Sequence, residues 1–589
     1  MARPRRPRGR RSAVLRWIRA AAILVVVACG GTPQRPTPVP EPVPEDPGVR
    51  RDARLLAMLD TRTPDTLLID ALLLDPDPAR RARAALAIGQ GLVRARIPRA
   101  RVLLVDGDTG VAANAAFALG LARDTGGVEA LERAVIGAPD VVAREAAWAL
   151  GEIGERARPS LRRLLGAGVP WPLLASPAAA RAPAIRSAVL LATGRLEPAP
   201  AQDLTPWLRD PAVDVVRAAV YVIGRQALAA GARAAFALRA HPDDEVRQHV
   251  ARTMTAAAVG DSLRPLARVA LRALLQDADE RVRINAARSA ATHGTMLIEE
   301  LSLRLWDPVA NVRVATVEGL GDVYGMDTTR WQRAWDADTT RHVRQLLLGH
   351  IRRLRVPVAV GIEQVWSGHP DWRYRLAAIG TGERTPIDSL TRALATRLSA
   401  DSNPRVQRQA RIRLGDRSGA GPGVTLPPPA PGRPMTEYES IVRDLVNRVT
   451  PIRAVVETER GAITLELFPR EAPLIVESFL RLANAGAYGN TVFHRVVPNF
   501  VVQDGDITPD GSGRGTFRLR ESFTRRRHGR GCLGLATSGP DTGGSQYYLC
   551  HSAQPHLDGR YTVFGEVIDG FDVMDRLLQG DRVLSVRVP

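Results

Sequence analysis

The stretch Phe493-His494-Arg495-Val496-Val497-Pro498-Asn499-Phe500-Val501-Val502-Gln503 sets one guanidinium, that of Arg495, among apolar side chains, with the amide of Gln503 eight positions on. A guanidinium is always charged and donates through a planar fork, so beside a bound peptide it can hold the chain and polarise an amide. The long helical stretch upstream offers no competing chemistry. His241, His249, His293, His342, His350 and His369 are scattered through helical sequence without metal-ligand spacing, and no nucleophile–base pair stands out.

The elements around Arg495 read as a strand-rich domain. Ala454–Thr458 and Ala462–Leu467 are β-branched runs separated by Glu459-Arg460-Gly461, a hairpin signal. Residues Ala472 to Ala485 carry helical spacing, short strands with Gly-rich turns follow, and Phe571 to Leu578 is a last amphipathic run. The domain, read as 452–589, has the size of one compact barrel-type unit.

Several motifs in order give this stretch a specific resemblance. They are Thr458–Phe468 with Pro469 and Ala472-Pro473, Phe493-His494-Arg495-Val496-Val497-Pro498, Gln503, and Gly505-Asp506. Next come Leu533-Gly534-Leu535-Ala536, Gly539-Pro540, Gly544-Ser545-Gln546, His556-Leu557-Asp558-Gly559, and Tyr561-Thr562-Val563-Phe564-Gly565. Together they resemble a cyclophilin-type peptidyl-prolyl isomerase. The resemblance implies a closed eight-stranded β-barrel with two flanking helices, proline-containing polypeptide substrates and no cofactor. Rotation about an amide costs about 18–20 kcal/mol because the nitrogen lone pair is delocalised into the carbonyl. No covalent bond is broken in lowering that barrier, so no nucleophile is needed. By resemblance Arg495 is the catalytic guanidinium, favouring the twisted amide over the planar one. Phe500, Val501, Tyr548 and Leu557 would line the proline pocket. Gln503 and the backbone of Thr537 would fix the peptide, with Ala536, Gln546 and Tyr561 alongside. The chain departs from the family pattern at Val501 (usually Met), Asp504 (Gly), Thr537 (Asn), Tyr548 (Phe), His556 (Trp) and Tyr561 (His). These differences bear on cyclosporin binding more than on isomerisation. Cys532 and Cys550 fall on expected neighbouring antiparallel strands and form either a disulfide or two buried thiols. A zinc site from Cys550, His551 and His556 is a weaker reading, because it lacks paired ligand spacing.

Upstream the chain reads as address and scaffold. A basic segment to Arg19 and the apolar run Ala20–Ala28 make a signal peptide over 1–28, too short for a permanent membrane span. Val26-Val27-Ala28-Cys29 resembles the lipobox of bacterial lipoproteins, in which the cysteine is acylated; Cys29 is therefore the expected lipidation site. Residues 29–50 are proline-rich and form a semi-rigid tether. The expected location is outside the cytoplasm, as a periplasm-facing lipoprotein.

Over 51–415 the motifs Ala84–Gly89, Ala115–Gly120 and Ala146–Gly151 recur with closing glycines 31 residues apart. Each is preceded by an Asp-bearing turn, such as Asp75-Pro76-Asp77-Pro78, suited to capping a helix. This periodicity resembles HEAT repeats, an α-solenoid whose face recruits or orients a protein partner. Residues 416–451 form a linker and a bridging helix starting near Met435. The net charge is +19 and all 81 basic residues are Arg, eight of them within the first nineteen residues. So uniform a bias reflects composition, and it supports no specific nucleic-acid partner. The expected activity is prolyl isomerisation assisting protein folding. The rival reading is a non-enzymatic scaffold that uses the solenoid and a silent cyclophilin-like barrel as peptide-binding surfaces.

Overall fold

The computed structural model describes residues 46–91, 93–166, 178, 181–200, 204–321, 328–353, 358–380, 389–416, 432–508, 510–513 and 517–589. The signal peptide, Cys29, most of the tether and the linker over 417–431 lie outside the described residues. The first described helix, Pro47–Thr61, begins inside the stretch read as tether. Arg51–Pro589 forms one compact unit.

The repeats supply a row of stacked inner helices: α1 (Pro78–Gln90), α2 (Thr109–Leu121), α3 (Asp140–Ile153), α4 (Pro183–Thr193), α5 (Val213–Arg225), α6 (Asp244–Thr253), α7 (Glu280–Ala291), α8 (Ala310–Gly321), α9 (Arg341–Arg353), α10 (Trp372–Ile379) and α11 (Pro404–Arg413). Each packs on the next. The closing glycines permit this spacing. A Cβ on Gly89 would sit 2.6 Å from the Cα of Ala118, and one on Gly120 2.8 Å from the Cα of Ala149. Asp77, Asp108, Asp243, Asp279 and Asp371 cap their helices through side-chain oxygens, as the turn sequences imply.

A ladder of arginines fixes the register between repeats. Arg283 grips Asp307 through two hydrogen bonds of 2.9 Å, while its Nη1 donates to the carbonyls of Asp277 and Ala278. Arg247 makes the same fork to Asp277, Arg313 to Asp338, and Arg375 to Asp401. Each of these aspartates also accepts the N–H two residues on, so one carboxylate shapes its own turn and receives the preceding repeat.

Beyond the array, α12 (Met435–Ile441) continues as a π-helical turn to Val446. The C-terminal region is an eight-stranded antiparallel sheet: β1 (Ile452–Thr458), β2 (Gly461–Leu467), β3 (Arg495–Val497), β4 (Val501–Asp504), β5 (Cys532–Leu535), β6 (Tyr547–Cys550), β7 (Val563–Asp569) and β8 (Val583–Arg587). Helices α13 (Pro473–Asn484) and α14 (Phe571–Arg576) flank it. The strand order β3-β4-β6-β5-β7-β2-β1-β8 corrects the expected closed barrel to a curled half-barrel. β3 and β8 share no ladder; the chain just before each is joined by the single bridge Val492↔Arg582. Asn490 (φ +66) and Gly580 (φ +86) hold left-handed backbone on either side of that bridge, and an extended ladder cannot propagate through them.

The inner helices do not present an empty face. Gln90 donates to the Phe523 carbonyl at 2.6 Å, Glu145 pairs with Arg527 at 2.6 Å, and Arg288 donates to the Pro498 carbonyl at 2.7 Å. Further along, Asn311 donates to the Asp575 carbonyl at 2.7 Å, Arg341 to the Gln579 carbonyl at 2.6 Å, and Arg405 to the Asp506 carbonyl at 3.1 Å. From α1 to α11 the row therefore touches the chain's own sheet domain.

Candidate active site

The period-two alternation of the strands gathers the site on one face of the sheet. Arg495 lies opposite Gln503, Gln503 opposite Tyr548, and Tyr548 opposite Gly534. Directly opposed residues share a face, so a single row runs from the guanidinium on β3 across β4 and β6 to β5. Gly534 is required there: any Cβ would lie 2.2 Å from the Tyr548 ring. Val501 and Cys550 form the parallel row beside it.

These side chains enclose an apolar floor. Phe468, Val501, Cys532, Ala536, Tyr548, Cys550 and Val563 are buried together, with Phe500, Leu557 and Tyr561 packed against them. Arg495 is exposed at the rim, its guanidinium carbon 5.6 Å from the centre of the Phe500 ring. Gln503 Nε2 donates to Gln546 Oε1 at 3.0 Å, which orients both amides at the edge of the floor. The Ala536 N–H donates to the Gln546 carbonyl at 3.0 Å, and Thr537 follows, half-buried. Among the sequence-predicted residues, Arg495, Phe500, Val501, Gln503, Ala536, Gln546, Tyr548, Leu557 and Tyr561 thus converge, with Thr537 adjoining.

Cys532 and Cys550 are free thiols whose sulfur atoms lie 3.4 Å apart beneath the floor. Burial and the neighbouring thiol push Cys532 well above the usual thiol range. His551 is directed to the Met574 carbonyl at 3.1 Å and His556 to Tyr221 at 3.1 Å, so neither ring joins Cys550 around a common point. Among the described residues no group of three or more His, Cys, Asp or Glu side chains could hold a metal ion.

Other contributors lie outside the expected site residues. His528 lies behind Tyr548, with Nε2 3.0 Å from its hydroxyl and Nδ1 3.0 Å from Asp558 Oδ1. The Tyr548 hydroxyl, where the family usually has a plain phenyl ring, therefore has a buried partner. His556 stacks on Phe500 with ring centres 5.9 Å apart. From the solenoid, Tyr221 reaches His556, Arg195 donates to the Pro555 and Asp558 carbonyls at 3.2 Å, and Gln248 accepts from Asn499 at 3.3 Å. Burial first, then the guanidinium groups of Arg225 and Arg252, hold His556 down to about 4.

Comparison with known proteins matches the residues that build this site to a family. The model for cyclophilin type peptidyl-prolyl cis-trans isomerases matches residues 453–588, and that for HEAT repeats matches 97–180. A peptidyl-prolyl cis-trans isomerase of Synechococcus elongatus is 40% identical over 138 residues, 23% of this chain and 95% of the relative. One from Helicobacter pylori is 42% identical over 139 residues, covering 23% of this chain and 84% of the relative. Peptidyl-prolyl cis-trans isomerase B of Bacillus subtilis is 42% identical over 130 residues, covering 21% and 90%. Through the domain that carries Arg495 and its apolar floor, the chain belongs to the cyclophilin-type peptidyl-prolyl cis-trans isomerases, here following a helical HEAT-repeat region.

Proposed function

We propose that the chain is an exported, lipid-anchored prolyl isomerase that assists folding outside the cytoplasm, and that its HEAT array orients client polypeptides at the isomerase site. The observation that carries the catalytic reading is the cross-strand row from Arg495 through Gln503 to Tyr548, set over the apolar floor. A proline ring seats on Phe500, Val501, Tyr548 and Leu557. Gln503, Gln546 and the Thr537 backbone hold the flanking peptide. The Arg495 guanidinium, at the rim, donates to the prolyl nitrogen as its lone pair leaves conjugation. That bond is available only in the twisted state, so it lowers the barrier without tightening the planar ground state. Holding the peptide against a dry floor removes competing water bonds from the carbonyl.

The test is a prolyl-isomerisation assay on the intact chain beside Arg495→Ala. A loss of roughly 10²-fold in kcat/KM is the expected result for removing one preorganised donor. Equal rates in the two proteins would refute the role given to Arg495, and no rate in the intact chain would favour a silent peptide-binding module. Anchoring rests on the lipobox-like Val26-Val27-Ala28-Cys29 and the short apolar run before it. Cys29→Ser should abolish incorporation of labelled fatty acid; persistent labelling would refute the anchor.

A further inference from the structure

Between α4, α5 and the segment Pro555–Arg560 lies an open groove of about 380 Å³, lined by Arg195, Tyr221, Arg225, His556 and Arg560 among others. It shares a wall with the prolyl site. His556 faces the groove and stacks on Phe500, which packs against the apolar floor. A peptide seated on that floor advances about 3.3 Å per residue when extended, so residues close to its proline can enter the groove.

The charges in and beside this groove are only partly balanced. Arg195 is paired with Glu152, Arg217 with Asp243, and Arg247 with Asp277. Among the described residues no carboxylate lies within ion-pair distance of Arg225, Arg252 or Arg560. Glu197 lines the groove but is exposed and reaches none of the three. Burial first, and then the neighbouring Arg225 guanidinium, disfavour the charge on Arg252. Arg225 and Arg560 are exposed and Arg252 is half-buried beside them, so an incoming carboxylate can pair there without displacing an internal partner. His556 stays neutral at physiological pH and neither adds to nor cancels this field.

We propose that Arg225 and Arg252 of the solenoid, with Arg560 of the sheet domain, form a subsite for an acidic side chain flanking the proline of a client polypeptide. The proposal rests on the prolyl site assigned above. In it the solenoid acts as one wall of the substrate groove and contributes specificity that the sheet domain alone lacks. A bidentate guanidinium–carboxylate pair supplies both the charge and the geometry.

The full chain is assayed on a series of short proline peptides, each with Glu, Ala or Lys at one of the four positions on either side of the proline. At one or more positions the Glu peptide should have a kcat/KM about tenfold above the Lys peptide, mainly through KM, and the gap should shrink with salt. Arg225→Gln with Arg252→Gln should bring the Glu/Ala ratio close to one. Arg225→Glu, at an exposed position tolerant of substitution, should reverse the Glu/Lys preference. Equal kcat/KM across the series in the wild type, or a preference that survives Arg225→Glu, would overturn the subsite. Fluorescence anisotropy with the same labelled peptides separates this from failure of the isomerase reading: a chain without turnover that still binds the Glu peptide more tightly keeps the subsite and loses the enzyme, whereas equal binding across the series overturns the subsite.

Discussion

Tyr221 Oη and His556 Nδ1 lie 3.1 Å apart, which ties an inner helix of the solenoid to the ring that stacks on Phe500. With its pKa held down to about 4, His556 is neutral in the folded chain across the range where an unfolded histidine gains its proton. Its contribution to stability is complete above about pH 6.5 and is lost as pH falls through about 4. Urea unfolding between pH 7 and pH 4 should show a weaker acid dependence for His556→Gln than for the wild type. Equal slopes would contradict this assignment.

The Tyr548 hydroxyl and His528 Nε2 are both buried and 3.0 Å apart. Tyr548→Phe removes one partner and leaves the other without a hydrogen bond, which costs about 1–3 kcal/mol. We expect a lower midpoint in chemical denaturation with isomerase activity retained, because the ring that floors the proposed proline site remains.

Asp307 is nearly inaccessible and receives the Arg283 fork. Arg283→Ala leaves this carboxylate buried with only the more distant Arg304, at 3.5 Å, as a cationic partner. A loss of about 3 kcal/mol is expected. The double variant Arg283→Ala with Asp307→Asn should recover part of it. Absence of coupling between the two sites, read in a double-mutant cycle, would show that the ladder does not act as a pair.

Asp504 is buried where the family usually has glycine, and it accepts from the Thr491 hydroxyl at 2.7 Å. Desolvation raises its pKa to about 6. A carboxyl group raised in this way favours the fold most below about pH 4 and loses that contribution as pH rises through about 6. Asp504→Asn should therefore be more stable than the wild type at pH 8, by up to about 3 kcal/mol, with the gap narrowing towards pH 4. A gap that is constant with pH would refute the shift.

Much of this molecule is legible in the chain because its governing rules are local. Closing glycines at a fixed interval, aspartates suited to N-caps and small residues at helix contacts together spell a stacked helical array, since caps and close approaches depend on neighbours a few residues away. Strand alternation likewise puts Val501 and Gln503 on one face whatever they pack against. The closed barrel failed for the same reason: closure depends on how two strand ends meet, and the left-handed Asn490 and Gly580 carry no signal strong enough to reveal it.

Tertiary structure decided what the arginines do. In a sequence whose basic residues are all arginine, composition gives no ground for separating one from another. Folding separates them by supplying or withholding a carboxylate: Arg247, Arg283, Arg313 and Arg375 each meet an aspartate 24 to 30 residues away. Arg225 instead lines the groove beside His556, next to the proposed prolyl site. Tyr221 and His556 are 335 residues apart in the chain, and no periodicity or motif links them. The sequence determined a repeat array and an isomerase domain, because helix caps, strand alternation and ordered motifs are short-range. Only the packed structure decided that the face of the first is occupied by the second, because that depends on shape and charge matched across the whole chain.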